Sequence, residues 1–154
     1  GRGRDGSRPA RLRRVARRLL KPLRASARAA APAAVAWDVL VDTIRWAAWG
    51  PSVTAVRCPE RRVRAGTRGE VRVRFGPWLP FVVERCEPPF YWDWRVAGVP
   101  ATGHRVRPLG VTSCEIALEL SPLILPYWPV CRVAAGRVAR LAEAAVANGE
   151  APPG

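Results

Sequence analysis

Residues 129–148 read PVCRVAAGRVARLAEAAVAN, and this stretch decides how the rest of the chain must be arranged. Val130, Val133, Ala134, Val138, Leu141 and Ala145 recur at helical spacing on one side, while Arg132, Arg140 and Glu143 occupy the other. Gly149 follows as a stop. A helix with one apolar stripe must bury it against another element. Just upstream, Pro122, Pro126 and Pro129 lead the chain out of whatever comes before the helix.

What comes before it is built on a period of two. Cys114, Ile116, Leu118 and Leu120 alternate with Glu115 and Glu119, and Val71, Val73 and Phe75 alternate with Arg72 and Arg74, so each strand has a dry and a wet face. Further runs lie at residues 53–58, 81–86, 90–96 and 104–108. Connections at 59–69, 76–80, 87–89, 98–103 and 109–112 separate them. Six strands follow one another without an intervening helix, which predicts antiparallel pairing. Ahead of them, Pro32 opens a short helix through Val35, Trp37 and Leu40. Asp42 caps a second one carrying Ile44, Trp46 and Trp49, which Gly50 and Pro51 end. Residues 23–30 hold few β-branched side chains, yet a first strand there suits the elements that follow.

The length of 154 residues and the 49% hydrophobic content suit one domain with one core. The formal charge of +14 sits mostly at the front: residues 1–30 hold ten Arg and one Lys against a single Asp. The remainder is only mildly basic. One lysine among 26 basic residues, no Met, and many Ala, Gly, Pro and Arg suggest a GC-rich coding sequence of bacterial type, so part of the arginine excess reflects codon bias. Residues 1–22 are expected to be a basic, largely disordered tail, with a marginal amphipathic helix at Leu12, Val15, Leu19 and Leu20. The chain starts at Gly1 rather than Met, and the tail carries little functional weight. Residues 23–148 are expected to form the domain and 149–154 a flexible end.

Cys58, Cys86, Cys114 and Cys131 form no C-x-x-C pair and have no His close by in sequence, so neither a metal site nor a redox motif is expected. No apolar run of about 18 residues exists, so no transmembrane segment is expected and the cytoplasm is the default compartment.

The order of strand, two short helices, six-stranded meander and long C-terminal helix resembles the helix-grip fold of the START-like (SRPBCC, Bet v 1-like) superfamily. That superfamily includes polyketide cyclase/dehydrase-like proteins and plant pathogenesis-related allergens. APAAVAWDVLVDTIRWAAWGPSV at residues 31–53 is similar to its opening segment, AGTRGEVRVRF at 65–75 to its Gly-bounded third strand, and WRVAGVPATGH at 94–104 to a hairpin of bacterial members. The resemblance spans roughly residues 25–147. It implies an α+β helix-grip fold, in which a curved antiparallel sheet of six to seven strands wraps a long C-terminal helix. It also implies a ligand cavity between sheet and helix. These are scaffold motifs and speak to fold more than to chemistry.

Alternation along residues 91–96 turns Trp92 and Trp94 inward, and Trp49, Trp78, Phe81, Tyr127 and Trp128 are expected to add to the same aromatic lining or its mouth. The alternative is that these rings simply fill the core. His104, the only histidine, shares the inward face with Val106 once Arg105 and Arg107 take the wet one. It is the candidate polar anchor for a ligand or a candidate general base; the plainer account is a structural imidazole. Glu84, the nearest acidic candidate to pair with it, is expected to face solvent.

No nucleophile elbow, phosphate-cradling loop or carboxylate pair is present, so catalysis has no sequence support. The reading is a monomeric or homodimeric protein that binds a hydrophobic small molecule, lipid or polyketide-like, without a cofactor. An aromatase/cyclase-like enzyme using the same cavity is the rival. A third reading gives the arginine tail a sequence-independent hold on nucleic acid or an anionic membrane.

Overall fold

The computed structural model describes residues 10–13 and 22–150. The tail expected over residues 1–22 therefore lies outside the described residues, apart from one exposed helical turn at 10–13 and Pro22. Residues 151–154 lie outside them as well.

Seven strands form one antiparallel sheet in the order β1-β7-β6-β5-β4-β3-β2. They are β1 (Leu23–Ala29), β2 (Val53–Arg57), β3 (Arg68–Val73), β4 (Trp78–Glu87), β5 (Tyr91–Val96), β6 (Val99–Gly110) and β7 (Ser113–Leu120). The helices are α1 (Ala33–Val41), α2 (Trp46–Trp49) and α3 (Trp128–Ala147), with 3-10 turns at Thr43–Arg45 and Pro122–Tyr127. This is the α+β helix-grip arrangement. β1 forms despite its Ala- and Arg-rich sequence because β7 supplies a complete partner ladder, from Leu23 opposite Leu120 to Ala29 opposite Cys114. Tertiary pairing overrides weak propensity there.

α3 packs on β1, β7 and α1. Its buried positions are Cys131, Ala134, Ala135, Val138, Ala139, Ala142 and Ala145. The stripe is thus rotated from the one expected: Val133 is exposed, and the buried face is made mostly of alanine. Small side chains let the helix axis approach the sheet closely, which places α3 as a lid over the sheet's concave face.

The loop after β2 is pinned to the end of α1. Asp42 is buried and accepts from the Ile44 amide at 3.1 Å and from two nitrogens of Arg61 at 3.3 and 3.1 Å, while the Thr43 amide donates to the Arg61 carbonyl at 2.8 Å. One carboxylate therefore caps the turn and closes the loop.

Several expectations fail at strand ends: residues 78–80 and 109–110, expected in connections, belong to β4 and β6. Phe75 does not continue the dry face of β3, because the strand ends at Val73 and residues 74–77 turn the hairpin, with Phe75 at φ 60° and fully exposed. Residues 98–103 are not a connection, since β6 begins at Val99 and only Ala97 and Gly98, both at positive φ, make the turn. Among the described residues no helix is long and apolar enough to cross a membrane.

Candidate functional site

Register brings the inward aromatic side chains together. Trp92 on β5 lies opposite His104 on β6, and the imidazole lies flat against the Trp92 ring, with centroids 3.8 Å apart and planes 15° from parallel. On the other side Trp92 stacks on Trp46 of α2 at 5.2 Å and 9°. Trp94 meets Trp46, Trp92 and Phe81 edge-on or tilted at 5.2 to 5.7 Å. Each such pair contributes about 0.5–1.5 kcal/mol beyond burial, so the cluster is a rigid wall.

A thread of hydrogen bonds runs through this wall and sets the state of His104. Its Nδ1 lies 3.3 Å from the Trp92 carbonyl oxygen, an atom that only accepts, so Nδ1 carries the proton and Nε2 the lone pair. Thr102 Oγ1 accepts from Trp94 Nε1 at 3.1 Å, which leaves its own proton for Nε2 at 3.2 Å. Burial disfavours the imidazolium and pushes the pKa down to about 3, the Trp92 carbonyl only partly opposing it. His104 is therefore a neutral, hydrogen-bonded acceptor.

Two donors remain outside this thread: Trp49 Nε1 and Trp92 Nε1 are buried and have no partner among the described residues. Each such orphan costs about 1–3 kcal/mol. Trp49 stands edge-on to His104 at 5.7 Å on the wall of an apolar cavity. That cavity holds about 40 Å³ of free space and is lined by Trp46, Trp49, Val53, Trp94, Leu118 and Val130, with Thr102, His104 and Tyr127 as polar points. Cys131 also lines it, its thiol pushed up to about 11 by burial and so held protonated. A second hollow of about 150 Å³, with Val71, Val73, Val96 and Ile124 in its walls, shares Ser52, Val53, Trp94, Thr102 and Tyr127 with the first. Ser52 Oγ and the Tyr127 hydroxyl are hydrogen-bonded to each other in that shared wall.

Of the residues singled out from sequence, Trp49, Trp94, His104 and Tyr127 meet at this cavity, while Phe81 and Trp92 are buried behind it. Trp78 does not join them. The alternation that turns Phe81 and Val83 inward turns Trp78 outward, where the Arg57 guanidinium covers its ring at 3.8 Å. Trp128 caps the edge strand instead, donating to the Arg24 carbonyl at 3.1 Å. Glu84 is exposed and paired with Arg95. Tyr91 and Asp93 share the outer face as their alternation requires. Yet Tyr91 is buried there, beneath Arg105 at 4.6 Å and bonded to Asp93 at 3.0 Å; a Cβ at Gly103 would fall 2.5 Å from its hydroxyl oxygen.

Sequence reasoning missed Trp46 and Thr102. Trp46 was legible as the residue three before Trp49 on one helical turn. Extending the period of two back from His104 would have found Thr102. Among the described residues no group of three or more His, Cys, Asp or Glu side chains is placed to hold a metal ion.

Comparison with known proteins places this geometry. No curated protein matches the chain. The Zhui aromatase/cyclase from a Streptomyces species superposes with a TM-score of 0.65 at 16% identity, over 82% of this chain and 96% of that one. The protein XoxI from Bacillus cereus superposes with a TM-score of 0.61 at 8% identity, over 80% and 96% of the two chains. A protein from Nitrosomonas europaea gives 0.58 at 15% identity, over 82% and 97%. At such identities the likeness concerns the fold. The family model described as polyketide cyclase/dehydrase and lipid transport matches residues 23–149, from the first strand to the end of α3, and the chain belongs to that family.

Proposed function

We propose that the protein binds a hydrophobic small molecule between the sheet and α3, and that the ligand carries at least one hydrogen-bond acceptor. The observation that carries this reading is Trp49, which lines a largely apolar cavity while its buried Nε1–H has no partner among the described residues. A carbonyl or hydroxyl oxygen at that point would satisfy the donor, while Trp46, Trp94, Val53 and Leu118 would take the apolar body.

About 40 Å³ accommodates roughly three water molecules, too little for a multi-ring ligand. Entry therefore requires the Ser52–Tyr127 contact to part and join the cavity to its 150 Å³ neighbour. Tyr127 sits at the end of the kinked Pro122–Tyr127 segment, where Ile124 has non-helical dihedrals, so the movable element is short. A cyclase-like activity would call on His104 as a base, but its lone pair is engaged by Thr102 and its basicity is low. Binding is the reading the geometry favours.

The test compares α-tetralone with tetralin, which share size and shape and differ in a carbonyl. Native mass spectrometry of the full chain should retain tetralone about tenfold better, the worth of roughly one buried hydrogen bond, and Trp49→Phe should erase the difference. Equal retention of the two by the unsubstituted protein would refute the role of Trp49, and no retention of either would refute the cavity. Turnover of a polyketide substrate lost in His104→Ala with binding intact would install the enzymatic reading instead.

A further inference from the structure

We infer that the end of the molecule bearing the cavity mouth docks on an anionic lipid bilayer. The strand registers place three tips there together: the β3–β4 turn at residues 74–77, the β5–β6 turn at 97–98, and the Pro122–Tyr127 segment that follows β7. Backbone and side-chain bonds tie the first and third of these at the mouth, and the Ala97 amide ties the second to the Pro80 carbonyl of β4 at 2.7 Å. The Arg74 amide donates to the Ser52 carbonyl at 3.0 Å, and Ser52 holds Tyr127.

These tips present large apolar side chains to solvent. Phe75 is fully exposed, Leu123 is 92% exposed, and Val99 and Leu125 are more than half exposed. Phe75 is held out at a positive φ that a phenylalanine rarely adopts, and Leu123 and Leu125 stand between prolines. Single apolar residues on a surface are ordinary, but four on the rim of one mouth call for a partner.

Charge identifies that partner. Residues 51–55, 72–80, 95–102 and 120–130, which build this end, contain no Asp or Glu, whereas Arg72 and Arg74 are exposed and form no ion pair among the described residues. The opposite end carries Glu60, Glu87 and Glu115. The chain also enters β1 at Leu23 from the mouth end, and the sequence before it, residues 1–22, holds eight Arg and one Lys against one Asp. The nearest acids, Glu84 and Glu119, are paired with Arg95 and with Arg24 and Arg105, so protruding apolar tips beside the two exposed, unpaired arginines match an interface of acyl chains and anionic headgroups. The inference concerns a surface and holds whether or not the cavity takes the ligand proposed above.

Sedimentation of the full chain with phosphatidylcholine vesicles containing about a quarter phosphatidylglycerol tests it. Binding is expected, and about tenfold weaker binding in the Phe75→Asn, Leu123→Ser double variant; asparagine tolerates the positive φ. Val111→Ser, 91% exposed in the β6–β7 turn at the other end, should bind as the parent does. No sedimentation would overturn the proposal. So would binding that ignores the double variant, which would assign it to the tail's charge alone. Self-association lost in the double variant would overturn it too, by making a second copy the occupant.

Discussion

His104 is the only histidine in the chain, so its proton uptake can be read in the stability of the whole molecule. In the unfolded chain its pKa is the ordinary 6.5; in the fold, burial pushes it to about 3. A depressed folded-state pKa means stability that is full above about pH 6.5 and lost as pH falls, because the unfolded chain takes up a proton that the folded one refuses. Between those two values each pH unit shifts the folding constant about tenfold. At about pH 5 the accumulated loss from His104 relative to pH 8 is about 2 kcal/mol. Urea unfolding at intervals from pH 8 to pH 5 should show this fall. His104→Gln should flatten it while lowering stability at neutral pH through loss of the Trp92 stack. In parallel, the imidazole resonances of the folded protein should hold still over the same range. A folded-state midpoint near 6.5 with pH-independent stability would refute the buried, neutral imidazole and reopen His104 to proton transfer.

Gly69 faces Phe81 across the β3–β4 ladder, and a Cβ there would lie 2.8 Å from the ring and 2.5 Å from the Arg57 carbonyl oxygen. Gly69→Ala should therefore cost about 1–3 kcal/mol in urea or thermal unfolding, and an unchanged midpoint would show that the edge strands yield freely. Asp42→Ala removes both a turn cap and the anchor of Arg61 and should destabilise by about 1–3 kcal/mol, with Asp42→Asn, which keeps an acceptor, costing less by calorimetry. With a thiol reagent under native conditions, half-buried Cys58 and Cys86 should react well ahead of Cys114 and Cys131, whose burial raises both pKa values to about 11. Equal rates for all four would indicate an interior that opens readily.

Much of this architecture was written in local pattern. The alternation of Ile116, Leu118 and Leu120 with their polar neighbours, and the helical spacing of residues 129–148, each need only one element to be read, because a period of two or 3.6 is a property of the chain itself. The inward turn of Trp92 and His104 was legible for the same reason. The sequence by itself thus determined the order of elements, the dry faces and the aromatic character of the interior.

Tertiary structure decided the rest, because those features depend on how elements meet. The Trp46–Trp92–His104 stack joins α2, β5 and β6, and no local period reports a cross-element register. The Trp94–Thr102 bond forms where the β5–β6 register shifts between Asp93 and Arg95, an irregularity that shows only in the pairing of two strands. The face of α3 that is buried was fixed by its contact with β1, β7 and α1, which rotated Val133 out. The small free volume is the sum of all these placements: how much space Trp46, Trp49, Trp92 and Trp94 leave is set by their mutual packing, which composition alone does not determine.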